Sequence, residues 1–131
     1  MQEIQETVLL YNIDKTEAGK AIISILEKLD VKVVIVKTSD LMCPLGYILK
    51  LDGYQRGTEA LTSIPNDDMM VLAGFEEDQI DVLLEIFKKA NIPFIPLKAM
   101  VTNTNIEWTF KHLLDNVKRE YLEFTGMKQA N

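Results

Sequence analysis

Cysteine occurs once in this chain, as Cys43, and histidine once, as His112. A single thiol cannot close an internal disulfide, and one thiol with one imidazole argues against a cysteine-based metal site. Basic residues are in deficit: 14 Lys and Arg face 20 Asp and Glu, a formal net charge of -6. Nucleic-acid binders take much of their affinity from cations that neutralise phosphates, so a nucleic-acid partner is not expected. Long apolar runs are also missing, and none reaches the roughly 20 residues that span a bilayer. No membrane span is expected. The amino terminus, MQEIQETV, carries two glutamates and no apolar stretch of signal-peptide length, so the expected location is the cytoplasm. There is no low-complexity segment.

What is present is an ordinary globular composition, 47% hydrophobic and 26% charged over 131 residues, enough for one domain with a real core. One structural idea occurs twice. Val8 to Lys37 can be laid on Met70 to Lys98 with a single gap, and each half reads as apolar strand, turn, amphipathic helix, apolar strand, lysine. The chain is thus expected to be a single domain of two pseudo-repeats, about 7–52 and 69–124, joined by a connecting segment of about 53–68.

Thr7 to Tyr11 and Met69 to Ala73 are short apolar runs without polar alternation, as parallel strands covered on both faces require. In the first half, Asp14 with Glu17 suggests a capping box, and Ala18, Ile22, Ile25 and Leu29 recur at helical spacing. In the second, the helix spans Glu76 to Ala90 with Ile80, Leu83, Leu84, Phe87 and Ala90 on one face. Acids crowd its first turn and Lys88 and Lys89 its last, which suits the helix dipole. The second strands are Val33 to Val36 and Phe94 to Leu97, the latter at an edge because Pro96 lacks an amide donor. Cys43 and Pro44 open a short helix that ends before the turn signal Asp52-Gly53. Thr104 and Glu107 suggest another capping box, opening a long helix striped by Ile106, Phe110, Leu113, Val117, Tyr121 and Phe124.

Right-handed crossovers and two related halves predict an α/β fold: a four-stranded, mostly parallel sheet of order 2-1-3-4, with helices on both faces and a long C-terminal helix. Ligands of such sheets bind beyond the carboxyl ends of the strands. That places the loops Asn12 to Asp14 and Gly74 to Glu76, with Lys37 and Lys98, at one end. The run Asp14 to Ala21 mimics a phosphate-binding loop but has Asp14 in place of the first glycine and Ala21 in place of the metal-binding hydroxyl, so Gly19 and Lys20 read as plain helix.

Three features bear on function. Lys98, Thr102, Asn103, Thr104 and Asn105 form a polar cluster at the expected start of the last helix, where unpaired amides and a lysine could hold a carboxylate or phosphate. Capping by Thr104 and Asn105 is the commoner use of such residues. Trp108 lies opposite the apolar stripe, beside His112, Asp115 and Arg119, either covered by a loop of the first half or facing a partner chain. Cys43, before Pro44 at a helix start, is either a reactive thiol or a small buried apolar residue, the usual state of a lone cysteine. No base can be placed beside it, and His112 has no second ligand near it in sequence, so no catalytic and no metal residues are assigned.

The segment Met70 to Leu122 resembles a known family through Val71 to Phe75, Pro93, Leu97-Lys98-Ala99, Thr102, Asn105, Trp108 and Leu113-Leu114. It is similar to a small prokaryotic family known only as a domain of unknown function, DUF3783. The resemblance implies a bacterial or archaeal soluble protein and supplies no reaction, cofactor or catalytic residue.

The leading expectation is a non-enzymatic binding or regulatory module, a homodimer, that holds a small anionic ligand near Lys98, Thr102, Thr104 and Asn105 and needs no cofactor. The alternative is an interaction or assembly module that docks through the C-terminal helix with Trp108 and His112. An enzyme built on Cys43 or His112 comes third.

Overall fold

The computed structural model describes residues 4–129. The two apolar runs become the central strands, β1 (Thr7–Tyr11) and β3 (Met69–Ala73), buried at every position. Outside them lie β2 (Lys32–Ile35) and β4 (Leu97–Met100), in the order β2-β1-β3-β4. β1 is parallel to β2, with Thr7 opposite Lys32, and β3 is parallel to β4, with Met69 opposite Leu97. The central pair is antiparallel, Tyr11 facing Met69 and Thr7 facing Ala73.

The sheet is therefore mixed, which corrects the mostly parallel arrangement expected from sequence. The reason lies in the connection between the halves. Its helix, α2 (Leu45–Ile48), has four residues, a rise of about 6 Å, against about 17 Å for a five-residue strand. It does not return the chain along the sheet for a third parallel strand. Instead the connection is tied to the end where β1 finishes: Tyr11 Oη donates to the Pro65 carbonyl at 2.7 Å and Asn12 Nδ2 to the Asp67 carbonyl at 3.1 Å. The chain re-enters the sheet where it left, so β3 runs the opposite way.

This sense of β3 separates the candidate sites. The Asn12 to Asp14 loop and the Gly74 to Glu76 loop lie at opposite ends of the sheet, so no shared crevice forms. Gly74, at φ 80°, is packed where an added Cβ would stand 2.5 Å from the Ile4 carbonyl, beside the start of β1. Lys37, past the end of β2, and Lys98, second in β4, do share an end. They reach it from strands of opposite sense, on opposite edges about 14 Å apart at ordinary strand spacing.

Strand alternation divides the core in two. Val8, Leu10, Met70 and Leu72 pack with Ile22 and Leu26 of α1 (Glu17–Lys28) and with Leu83 and Phe87 of α3 (Glu77–Lys89). Leu9, Tyr11, Met69 and Val71 pack with Leu45 and Ile48 of α2 and with Phe110, Leu113 and Leu114 of α4 (Phe110–Gln129). Stripe residues at the helix ends stand outside these layers: Leu29, Ala90 and Phe124 are exposed.

Helix starts differ from the predicted boxes. Thr16, not Asp14, caps α1, its side chain accepting the Gly19 amide at 2.9 Å, and Asp14 sits in a preceding 3-10 turn. Gly19 and Lys20 are within α1. For α3 the Gln79 side chain accepts the Glu76 amide at 2.8 Å, the back-reaching half of a capping box. The last helix starts later than expected. Asn105–Glu107 is a separate 3-10 turn and Trp108 is extended. Thr109 then caps α4 by accepting the His112 amide at 3.1 Å.

Candidate functional site

The two halves depart from each other between helix and second strand. Both helices end alike: Asp30 and Asn91 adopt φ of 60° and 61°, and the next amide closes back on the helix, Val31 to Leu26 at 2.9 Å and Ile92 to Phe87 at 3.0 Å. Such left-handed caps suit Asp and Asn, which tolerate positive φ better than other side-chain residues. From there β2 begins at once, whereas β4 begins only at Leu97. The expected strand Phe94 to Leu97 is mostly irregular chain, since Pro93 and Pro96 have no amide to give to a ladder. By register, Lys98 opposite Met70 occupies the position that Val33 opposite Val8 holds in the first half. The sequence match of Lys37 with Lys98 is thus not a match in space.

The extra turn of chain makes a cavity of about 500 Å³ at the C-terminal end of α3. Met70, Leu84, Phe87, Ile92 and Ile95 wall it, and Lys98 enters it from β4. Lys98 Nζ donates to the Ile95 carbonyl and stands 4.3 Å above the centre of the Phe94 ring. Phe94, 76% exposed, forms the rim. Burial pushes the Lys98 ammonium below the ordinary lysine range, because an apolar wall disfavours the charged form. None of the ion pairs among the described residues involves Lys98. The other charged residue of the lining, Lys88, is exposed at the last turn of α3.

The rest of the expected ligand cluster lies elsewhere. Thr102 follows the far end of β4, about 13 Å from Lys98 by strand rise. There Asn105 is buried and bonded through both side-chain polar atoms: its Oδ1 accepts the Thr102 amide at 2.8 Å, its Nδ2 donates to the Met100 carbonyl at 2.9 Å, and its own amide donates to Thr102 Oγ1 at 3.0 Å. These reciprocal bonds pin the corner that turns β4 towards α4. Thr104 is exposed, heads the 3-10 turn and makes no side-chain cap bond. Asn103 is exposed too. Structure therefore separates Lys98 from Thr102, Thr104 and Asn105.

Trp108 is half-buried, its ring meeting His112 edge-on with centroids 4.5 Å apart. Both line a concavity of about 470 Å³ together with Leu61 and Thr62 of the connecting segment and Asp115 of α4. The backbone here is stitched to the first half: Leu45 donates to the Trp108 carbonyl at 2.8 Å and Phe110 to the Cys43 carbonyl at 3.1 Å. Cys43 is buried in the α4-side core, and His112 is exposed. Among the described residues no group of three or more His, Cys, Asp or Glu could hold a metal ion. No helix among them is long and apolar enough to cross a membrane.

Residues 68–124 match the profile of a family described as a domain of unknown function, DUF3783. The resemblance read from Val71 to Phe75, Lys98, Asn105 and Trp108 is shown over that segment. No curated protein and no solved structure gives a significant match.

The DUF3783 segment contains the whole lining of the Lys98 cavity and both bonded partners in the Asn105 corner. Of that lining, sequence reasoning singles out Lys98 and misses Phe94, Ile95 and Ile92 as its neighbours. A signal for them exists: Ile92 to Pro96 places apolar residues among two prolines, a pattern that neither pairs as a strand nor coils as a helix. Leu84 and Phe87 lie on the inward helix face that their spacing predicts, but that face extends past the sheet-covering core into the cavity.

Proposed function

We propose that this protein is a non-enzymatic binding module that holds a small anionic ligand with an apolar body in the Lys98 cavity. One observation carries the reading: a half-buried amine enters a largely apolar cavity with a backbone carbonyl and a ring face, not a carboxylate, as its neighbours. An amine so placed has given up part of its hydration without gaining a counter-ion, and a bound anion would supply one. Pockets of several hundred Å³ lined mainly by apolar groups with few polar ones are the usual form of small-molecule sites. The ligand site is thereby narrowed to Lys98, while Thr102 and Asn105 keep a structural part. The two strand-helix-strand halves are read as a duplication in which the second gained the cavity through its longer helix-to-strand connection.

The test is a thermal-shift panel of small amphipathic acids on the wild type and on Leu84→Trp, which narrows the cavity from α3. A ligand at a hundred times its dissociation constant adds about 2.7 kcal/mol, several degrees in a domain of this size. Hits lost in Leu84→Trp support the reading. Hits that persist at full strength place the ligand elsewhere and sink it.

A second reading, docking of a protein partner or a second copy through α4, is favoured by the exposure of Leu122 and Phe124 on that helix. Sedimentation over a hundred-fold concentration range reads self-association directly; a monomer throughout removes the homodimer.

A further inference from the structure

With the Lys98 cavity as the binding site, a premise shared with the proposed function, its charge arrangement narrows the ligand beyond anionic. The cavity lies at the C-terminal end of α3, where backbone carbonyls give the helix a partial negative charge. Any anion at that place meets an unfavourable dipole, and a doubly charged phosphate meets more of it than a singly charged carboxylate does, with no guanidinium and no helix amino terminus in the lining to offset the second charge. Lys88, the second cation, is exposed at the rim and stands over the last helical turn, which its charge already complements. That leaves one inward ammonium, Lys98 Nζ, which matches one negative charge. The walls beyond it, Met70, Leu84, Phe87 and Ile92, offer only hydrocarbon and thioether surface to the rest of the ligand.

We infer that the ligand is a monocarboxylate with an uninterrupted apolar tail, of the fatty-acid type. Its carboxylate takes the place of the Ile95 carbonyl as acceptor for Lys98 Nζ, and its tail runs along Leu84 and Phe87. The Phe94 ring, lying over the ammonium at the rim, covers the ion pair from water. Low exposure to solvent strengthens a charge-assisted hydrogen bond of this kind.

Calorimetric titration of the full chain with sodium octanoate, 1-octanol and octyl phosphate tests this, because the three share a tail and differ in head. Octanoate is expected to bind at least about ten-fold more tightly than octanol, the weight of one hydrogen bond to a charged group, and more tightly than octyl phosphate. Lys98→Met should remove that preference. Equal affinity for octanoate and octanol in the wild type would overturn the carboxylate assignment while the cavity stands as an apolar site. Tighter binding of octyl phosphate would overturn the single-charge assignment. If none of the three binds, the Lys98 cavity itself fails as the site. The wild-type comparison needs no variant, so it decides the matter even where Lys98→Met does not fold.

Discussion

Asn105 and Lys98 show how differently two residues of one polar cluster can be used. Asn105 spends its side-chain oxygen on the Thr102 amide and its nitrogen on the Met100 carbonyl, which holds the side chain at the corner, away from Lys98. Asn105→Ala should cost about 1–2 kcal/mol, since it removes the partners of a part-buried donor and acceptor at once. Octanoate affinity should stay unchanged, and urea denaturation with a parallel titration measures both. A loss of affinity larger than the loss of stability explains would return Asn105 to the site. Gly57 is constrained in another way: an added Cβ would stand 1.7 Å from the Met42 carbonyl, so only hydrogen fits where the connecting segment crosses the chain before α2. From the sequence these residue types are visible, but not their partners. An asparagine near a predicted helix start looks the same whether it caps, binds or pins a corner.

At the scale of elements, the connection between α3 and β4 decides whether the second half has a cavity. In the first half the chain passes from Lys28 to β2 at Lys32 and Val33 takes the position of Lys98. Deleting Pro93 to Pro96 should let Leu97 follow the α3 cap as Lys32 follows that of α1, closing the cavity over Met70. The shortened protein is expected to keep its circular dichroism and its melting transition and to lose octanoate binding. Retained binding would mean that the irregular turn is not the wall of the site. Helices and strands themselves are legible, because apolar residues at intervals of 3.6 and continuous buried runs are local signals. Their starts are less so. Thr16 and Thr109 cap their helices where Asp14 and Thr104 are expected, since several capping residues stand in a row and only the packed helix chooses among them.

For the whole molecule, the matched family segment and the unit that folds do not coincide. Residues 68–124 contain β3, whose antiparallel neighbour β1 lies outside them, and the start of α4, whose Phe110 and Lys111 amides bond to the Cys43 and Leu41 carbonyls. A fragment of residues 66–131 should remain unfolded in solution, with amide proton signals collapsed into the random-coil range. A dispersed spectrum from that fragment would show that the first half is dispensable. The same dependence explains why strand order is readable and strand sense is not. Hydrophobic patterning by itself determined most of the elements and the central place of Thr7–Tyr11 and Met69–Ala73, because burial on both faces is written in each segment's own residues, and right-handed crossovers in two related halves added the order 2-1-3-4. Only the tertiary structure decided that β3 opposes β1, that Lys98 leaves the Thr102–Asn105 corner, and that it enters an apolar cavity. The first of those outcomes rests on where the connection between the halves is tied down, at Pro65 and Asp67 beside Tyr11 and Asn12, and the other two on the late start of β4 at Leu97; contacts so distant in sequence leave no period along the chain.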